Sequence, residues 1–246
     1  MVKRIGMLTP SSNTLLEPVC SRMLHDVDDV ECYYSRLPVT HISLAKSSTD
    51  QFDLTPMLRA AELLAHAEVD VIAWNGASGS WLGLQYDRDL CARITAATGI
   101  PATTSTLALI EAAKTNGVRS FHLVTPYLTE LNEAISVQYR SEGIEVVNAR
   151  GAGFTVNKDI GSVPLEQIDR MFGEVTRDRA DAICVPCTNF PMIWTIKELE
   201  ARYGYVVYDT IATVMWKSML IVGADPAKVK GWGSLFQPPV GITHAG

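Results

Sequence analysis

The chain has 246 residues, 47% of them hydrophobic and 20% charged, with a formal net charge of −6. That length buries a sizeable core and accommodates two small α/β lobes. An acidic chain whose Lys and Arg form no basic stripe is not expected to bind nucleic acid. A small carboxylate, held by backbone N–H groups and hydroxyls, is compatible with the charge.

Met1-Val2-Lys3-Arg4 leads straight into a strand-like run with no signal-peptide core, and no apolar stretch reaches about 18 residues. Neither secretion nor a membrane span is expected, and a cytoplasmic protein is. Short β-rich runs then alternate with amphipathic stretches, the pattern of parallel α/β sheets. The expected strands are Arg4–Leu8, Val30–Tyr34, Val71–Trp74, Ala102–Thr103, Ser120–Val124, Glu145–Asn148, Ala182–Val185 and Tyr205–Tyr208. Helical periodicity is clearest in Leu54–Ala67, Gln85–Thr98, Thr106–Asn116, Leu128–Glu142, Leu165–Arg179 and Ile193–Tyr203. Gly99, Gly117, Gly143 and Gly204 each follow a helical run, as a C-terminal glycine should.

The order of elements repeats. Ile5-Gly6-Met7-Leu8-Thr9-Pro10 is echoed by Phe121-His122-Leu123-Val124-Thr125-Pro126, and Ile72–Ser78 by Ile183–Asn189. Gly99–Thr104 is echoed more loosely by Gly204–Asp209. Three matches in one order predict a duplicated unit. In open parallel sheets the site lies beyond the carboxyl ends of the strands. Here those ends are Thr9–Thr14, Gly76–Ser80, Thr125–Tyr127 and Cys187–Asn189, all rich in hydroxyls, amides or small residues. Pro10-Ser11-Ser12-Asn13-Thr14 is the densest cluster, and reads equally well as a helix N-cap.

Five cysteines, odd in number and irregularly spaced, make a poor disulfide framework. Cys20, Cys32 and Cys91 fall inside helical or strand segments, and Cys184 inside a strand, where buried inert thiols are the default. Cys187 falls at a strand end ahead of a helix, a place that lowers a thiol pKa from about 8.5. Cys184 and Cys187 form a C-x-x-C pair, but an odd separation along an extended strand turns the two side chains to opposite faces. None of His25, His41, His66, His122 and His244 has a spacing that places it beside Cys187. No His, Cys and carboxylate cluster has metal-ligand spacing. Gly76-Ala77-Ser78-Gly79 is neither G-x-G-x-x-G nor a P-loop, so no cofactor is expected.

Pro10-Ser11-Ser12-Asn13-Thr14, the Gly76–Ser80 turn, Pro126-Tyr127 and Pro186-Cys187-Thr188-Asn189 together resemble the aspartate/glutamate racemase superfamily. The branch holding maleate cis-trans isomerases and arylmalonate decarboxylases fits best, from Ile5 to about Phe236. The resemblance implies two pseudo-symmetric, Rossmann-like parallel-sheet lobes with the site in the cleft. Residues 1–113 plus 211–246 are assigned to lobe 1 and 114–210 to lobe 2. Racemases and isomerases of this group use a cysteine from each half; Cys187 matches the second, while Gly76 stands at the first. The decarboxylases have that same glycine and keep only the second thiol. Gly99–Thr104, Tyr127 with Asn132-Glu133, and Gly231–Phe236 also look like the decarboxylase. Ala77 departs from it, replacing a threonine donor, and Ser11-Ser12-Asn13 is the isomerase-like first loop.

The expectation is therefore a cofactor-independent decarboxylase of a small substituted malonate or related dicarboxylate. Ser78, Tyr127 and backbone N–H groups near Ala77 and Thr188 would hold the enediolate. Ser12 and Asn13 would orient a carboxylate, and neutral Cys187 would protonate one face. Leu8, Trp81, Phe190 and Met192 would form an apolar wall, and Asp209 would cap the helix starting near Ile211. A maleate isomerase or Asp/Glu racemase-type enzyme stands as the alternative, and a non-catalytic small-acid binder as another. A homo-oligomer is left open.

Overall fold

Asp70 and Asp181 open the two most buried strands, and each ties its strand to the neighbouring one. Asp70 accepts the Arg4 N–H at 2.8 Å; Asp181 accepts those of Arg119 and Ser120 at 2.8 and 3.0 Å. In the computed structural model, which describes residues 2–237, everything beyond these anchors follows the same duplicated plan.

The first half runs β1 (Lys3–Pro10), α1 (Leu16–Met23), β2 (Val30–Leu37), α2 (Lys46–Thr49), α3 (Leu54–Ala65), β3 (Val71–Trp74), α4 (Gly79–Leu82), α5 (Leu84–Thr98), β4 (Ala102–Thr104) and α6 (Ser105–Thr115). The second runs β5 (Ser120–Thr125), α7 (Thr129–Ser141), β6 (Glu145–Gly151), α8 (Asn157–Ile160), α9 (Leu165–Val175), β7 (Ala182–Val185), α10 (Ile196–Tyr203), β8 (Val207–Asp209) and α11 (Thr210–Ile221). They form two four-stranded parallel sheets of identical order, β2-β1-β3-β4 and β6-β5-β7-β8. Strands β3 and β7 are buried along their whole length, so they read as unbroken apolar runs, whereas edge strands β2 and β6 are partly exposed.

In each sheet the chain leaves the first strand to one side and returns on the other. The crevice between β1 and β3, and between β5 and β7, is the switch point at which such folds bind ligands. All eight expected strands are present. The last begins at Val207 rather than Tyr205, which keeps Trp74↔Thr104 and Val185↔Asp209 in matching register. Helices α5 and α10 end at Gly99 and Gly204, with φ of +74° and +71°, a conformation that costs glycine nothing. The expected helix Leu165–Arg179 stops at Val175, where the Thr176 hydroxyl turns back to the Phe172 carbonyl at 2.9 Å. The expected helix Ile193–Tyr203 is split into a 3₁₀ stretch, Pro191–Thr195, and α10.

Helices α6 and α11 join the halves. They pack on each other; α6 also meets β4 and β8, and α11 meets β3, β4 and β8. The last residues assigned to lobe 1, from 238 on, and His244 with them, lie outside the described residues. Among the described residues no helix is long and apolar enough to cross a membrane.

Candidate active site

The four strand ends meet. Thr188, beyond β7, donates its hydroxyl to the Asn75 carbonyl beyond β3 at 2.7 Å. Asn13, beyond β1, donates its amide to the Thr188 carbonyl and hydroxyl at 2.9 and 3.1 Å. Asn13 also accepts the N–H groups of Leu15 and Leu16, both at 2.9 Å, so it caps the start of the first helix as well. Thr14 N–H reaches Asn189 Oδ1 at 2.9 Å, and Asn189 donates to the Asn157 carbonyl at 2.6 Å. Ser12 accepts from the Asn157 amide at 2.8 Å and donates to the Val39 carbonyl at 2.5 Å. Ser12 and Asn13 thus each bond one residue of the second half, Asn157 and Thr188, and spend their remaining bonds within the first.

Cys187 is buried at the centre of this junction, and its N–H folds back onto the Val185 carbonyl at 2.9 Å. Tyr127, from the β5 end, lies beside the thiol and donates its hydroxyl to the Pro186 carbonyl at 3.0 Å. The lowered thiol pKa expected at a helix start is not found. The next α-helix begins only at Ile196, and burial, the dominant cause, pushes the thiol up to about 12. The Tyr127 hydroxyl and the Asn189 N–H lower it by less. Burial therefore favours the neutral form of the Cys187 thiol at physiological pH.

Its partner in the C-x-x-C pair faces another tyrosine. Cys184 Sγ lies 3.9 Å from the Tyr139 hydroxyl, inside the second sheet's packing. The described histidines are elsewhere: His25, His41 and His66 are exposed, and His122 in β5 turns Nε2 to the Asp178 carbonyl at 3.1 Å. Among the described residues no group of three or more His, Cys, Asp or Glu side chains is placed to hold a metal ion.

Across the junction, Gly76, Ala77 and Ser78 form the turn from β3 into α4, and all three are buried. Ser105 Oγ donates to the Gly76 carbonyl at 3.0 Å, and Trp74 Nε1 donates to Ser78 Oγ at 3.2 Å. Among the described residues the backbone N–H groups of Ala77, Ser78 and Thr188 have no protein acceptor. Leu8, Trp81, Phe190 and Met192 are all buried. Trp81 stands edge-on between Phe52 and Tyr127, with ring centroids 5.9 and 5.6 Å apart. The segment carrying Phe52 crosses the junction and pairs with the second half, Ile42 N–H to Thr155 O at 2.7 Å and Asn157 N–H to Thr40 O at 2.9 Å.

Two buried carboxyls flank the site. Asp209 caps α11 as expected, accepting the Ile211 and Ala212 N–H groups at 2.7 and 3.1 Å. Asp87 accepts the Thr104 hydroxyl and lies under Gly79, where a Cβ would come within 2.4 Å of it. Burial, the largest cause in each case, raises both to about 7. Sequence reasoning did not single out Asp87, Asn157, Asn189 or Trp74 as site residues. Asn189 lay in view within Pro186–Asn189, whereas the other three reach the site only through the fold.

A family model described as arylmalonate decarboxylase matches residues 26–236. An arylmalonate decarboxylase from Bordetella bronchiseptica is 23% identical over 239 residues, covering 94% of this chain and 95% of its own. A maleate isomerase from Geobacillus stearothermophilus is 24% identical over 229 residues, covering 87% of this chain and 89% of its own. The crystal structure of a maleate isomerase from Pseudomonas putida S16 superimposes with a TM-score of 0.86 at 25% identity, covering 96% of this chain and 98% of that one. The relatives are thus enzymes of two kinds whose structures share this fold. By the match over most of its length, the chain belongs to the arylmalonate decarboxylase family.

Proposed function

We propose that the protein is a cofactor-independent decarboxylase of a small substituted malonate or a related dicarboxylate. The observation that carries this reading is a buried, protonated thiol two residues past β7, with a glycine at the matching position two residues past β3.

Loss of CO2 from a malonate leaves the bonding electron pair on the α-carbon, delocalised over the remaining carboxylate as an enediolate. The N–H groups of Ala77, Ser78 and Thr188 and the Ser78 hydroxyl supply donors for those two oxygens, and such preorganised donors are worth about 3–4 kcal/mol each. Tyr127 exchanges its bond to the Pro186 carbonyl for one to the same carboxylate. Ser12 and Asn13 act one step back, holding Thr188 and the loop around it. The apolar side chains of Leu8, Trp81, Phe190 and Met192 receive the carboxyl group that leaves. Cys187 then gives its proton to the α-carbon from its own side, and the thiolate is reprotonated from solvent. A thiol held near 12 suits both steps: it stays protonated until a strong carbon base forms, and it regains its proton readily.

The test is CO2 release from a panel of α-substituted malonates, with chiral analysis of the product acid. One product enantiomer, formed without added metal or cofactor, is the expected result. Conversion of maleate to fumarate with no malonate turned over would replace this reading by the isomerase. Thermal stabilisation by dicarboxylates with no turnover of any acid would replace it by a binding protein.

A further inference from the structure

Trp74 ends β3 two residues before Gly76, as Val185 ends β7 two residues before Cys187. The two positions are structurally equivalent, for Trp74 pairs with the last residue of β4 and Val185 with the last residue of β8. Their side chains are not. The Trp74 indole is fully buried and lies over Gly76: a Cβ at residue 76 would come 2.1 Å from its Cζ2, 2.5 Å from Cε2 and 2.9 Å from Cη2. No side chain fits there while the ring stays. In the second half the much smaller Val185 stands at the equivalent position, and Cys187 carries a side chain where Gly76 has none. The halves thus exchange volume, a large strand residue with glycine against a small one with cysteine.

The indole has a second consequence. Its N–H is a donor only, so the Ser78 oxygen must accept it at 3.2 Å. Ser78 makes no other side-chain hydrogen bond among the described residues, which leaves its own proton for an incoming oxygen.

We propose that Trp74 is a specificity-determining residue: it occupies the space that a second thiol at residue 76 would need, and it poises the Ser78 hydroxyl as a donor. Proton transfer is thereby confined to the Cys187 side. The steric part stands alone; the stereochemical part rests on the proposed decarboxylase reading. With a thiol on each side, a thiolate at 76 would take the α-proton of the product acid, and the Cys187 thiol would return one to the opposite side. The product would be inverted with no net gain or loss of atoms.

The experiment is a stability cycle followed by an exchange assay. Gly76→Ala in the native background is expected to lower Tm by more than about 5 °C. In a Trp74→Leu background, or Trp74→Phe if the leucine variant does not fold, the same change should cost less than half as much. An equal cost in both backgrounds overturns the steric argument, whatever the substrate. The product acid, optically pure, is then incubated in deuterated buffer. The doubly substituted W74L/G76C protein should exchange and invert the α-hydrogen at least about tenfold faster than the native protein, and G76C alone should not. Exchange by a well-folded G76C protein overturns the blocking role. If the native protein decarboxylates no malonate, the decarboxylase reading fails, while the stability cycle still decides the packing of Trp74 against residue 76.

Discussion

The turns after β3 and β7 are built from the same plan and do opposite things. In each, the residue after the strand offers its carbonyl to a hydroxyl from another element: Asn75 to Thr188 at 2.7 Å, Pro186 to Tyr127 at 3.0 Å. In each, the next residue is buried. After β7 that residue is a thiol raised by burial; after β3 it is a glycine under an indole. On the proposed reading the turn after β7 delivers the proton, while both turns present N–H groups to an anion. Duplication alone would have made matching sides; the differences at residues 74 and 76 break the match, and on the proposed reading they make the site one-sided.

The hardest test of that asymmetry is Cys187→Ala. On the proposed mechanism it should reduce CO2 release from a turned-over malonate by about 10²–10⁴-fold. Cys184→Ser, three residues away and packed against Tyr139, should leave the rate within about threefold. Equal losses in the two variants would mean that the thiol at the strand end has no special role.

Asn13→Ala probes what holds the two turns in register. It strips the Thr188 carbonyl and hydroxyl of a buried donor and uncaps two N–H groups, for a loss of about 1–3 kcal/mol in denaturant unfolding. Because Thr188 is held through Asn13, the rate on a malonate should fall as well. Unchanged stability would show that the strand ends are held together elsewhere.

A third comparison sets Asp87 beside Asp209. Each is a buried carboxyl raised from 3.8 to about 7, one brought to the end of β4 by α5 and the other carried by β8 itself. An acid whose pKa is higher folded than unfolded releases its proton first from the unfolded chain. The unfolded state therefore binds fewer protons between about pH 4 and 7, and stability falls across that window and levels off above it. Asp87→Asn and Asp209→Asn should each flatten the decline, so that Tm relative to the native protein is a few degrees higher at pH 8 than at pH 4. A decline that persists in both variants would refute the assignment.

The smallest effect is chemical. With its thiol held near 12 and buried, Cys187 should resist iodoacetamide at pH 7.5 in the native protein and react only after unfolding, as followed by mass spectrometry. Rapid labelling at pH 7.5 would point to an ionised nucleophile and favour covalent isomerase chemistry.

Much of this was legible in the chain. Apolar runs such as Val71–Trp74 and Ala182–Val185, punctuated by glycines, mark strands and helix ends because those signals are local. The repeat, the four strand ends and the contrast of Cys187 with Gly76 followed from them. What remained hidden depended on distance. Asn157 reaches Ser12 across 145 residues, and no local pattern announces such a bond. A strand end ahead of a helix predicts a lowered Cys187 thiol, whereas burial, which the local sequence does not reveal, raises it.

Sequence by itself determined the alternation of strand and helix, the duplication and the unequal residues at its matching positions, because periodicity and order are carried along the chain. Only the tertiary structure decided what those residues touch. Trp74 reads in sequence as one more apolar strand residue, and folding turns its ring over Gly76 and its N–H onto Ser78. Side-chain volume and hydrogen-bond direction act through space, so the contrast between the two turns emerged only when the ring packed within the turn after β3.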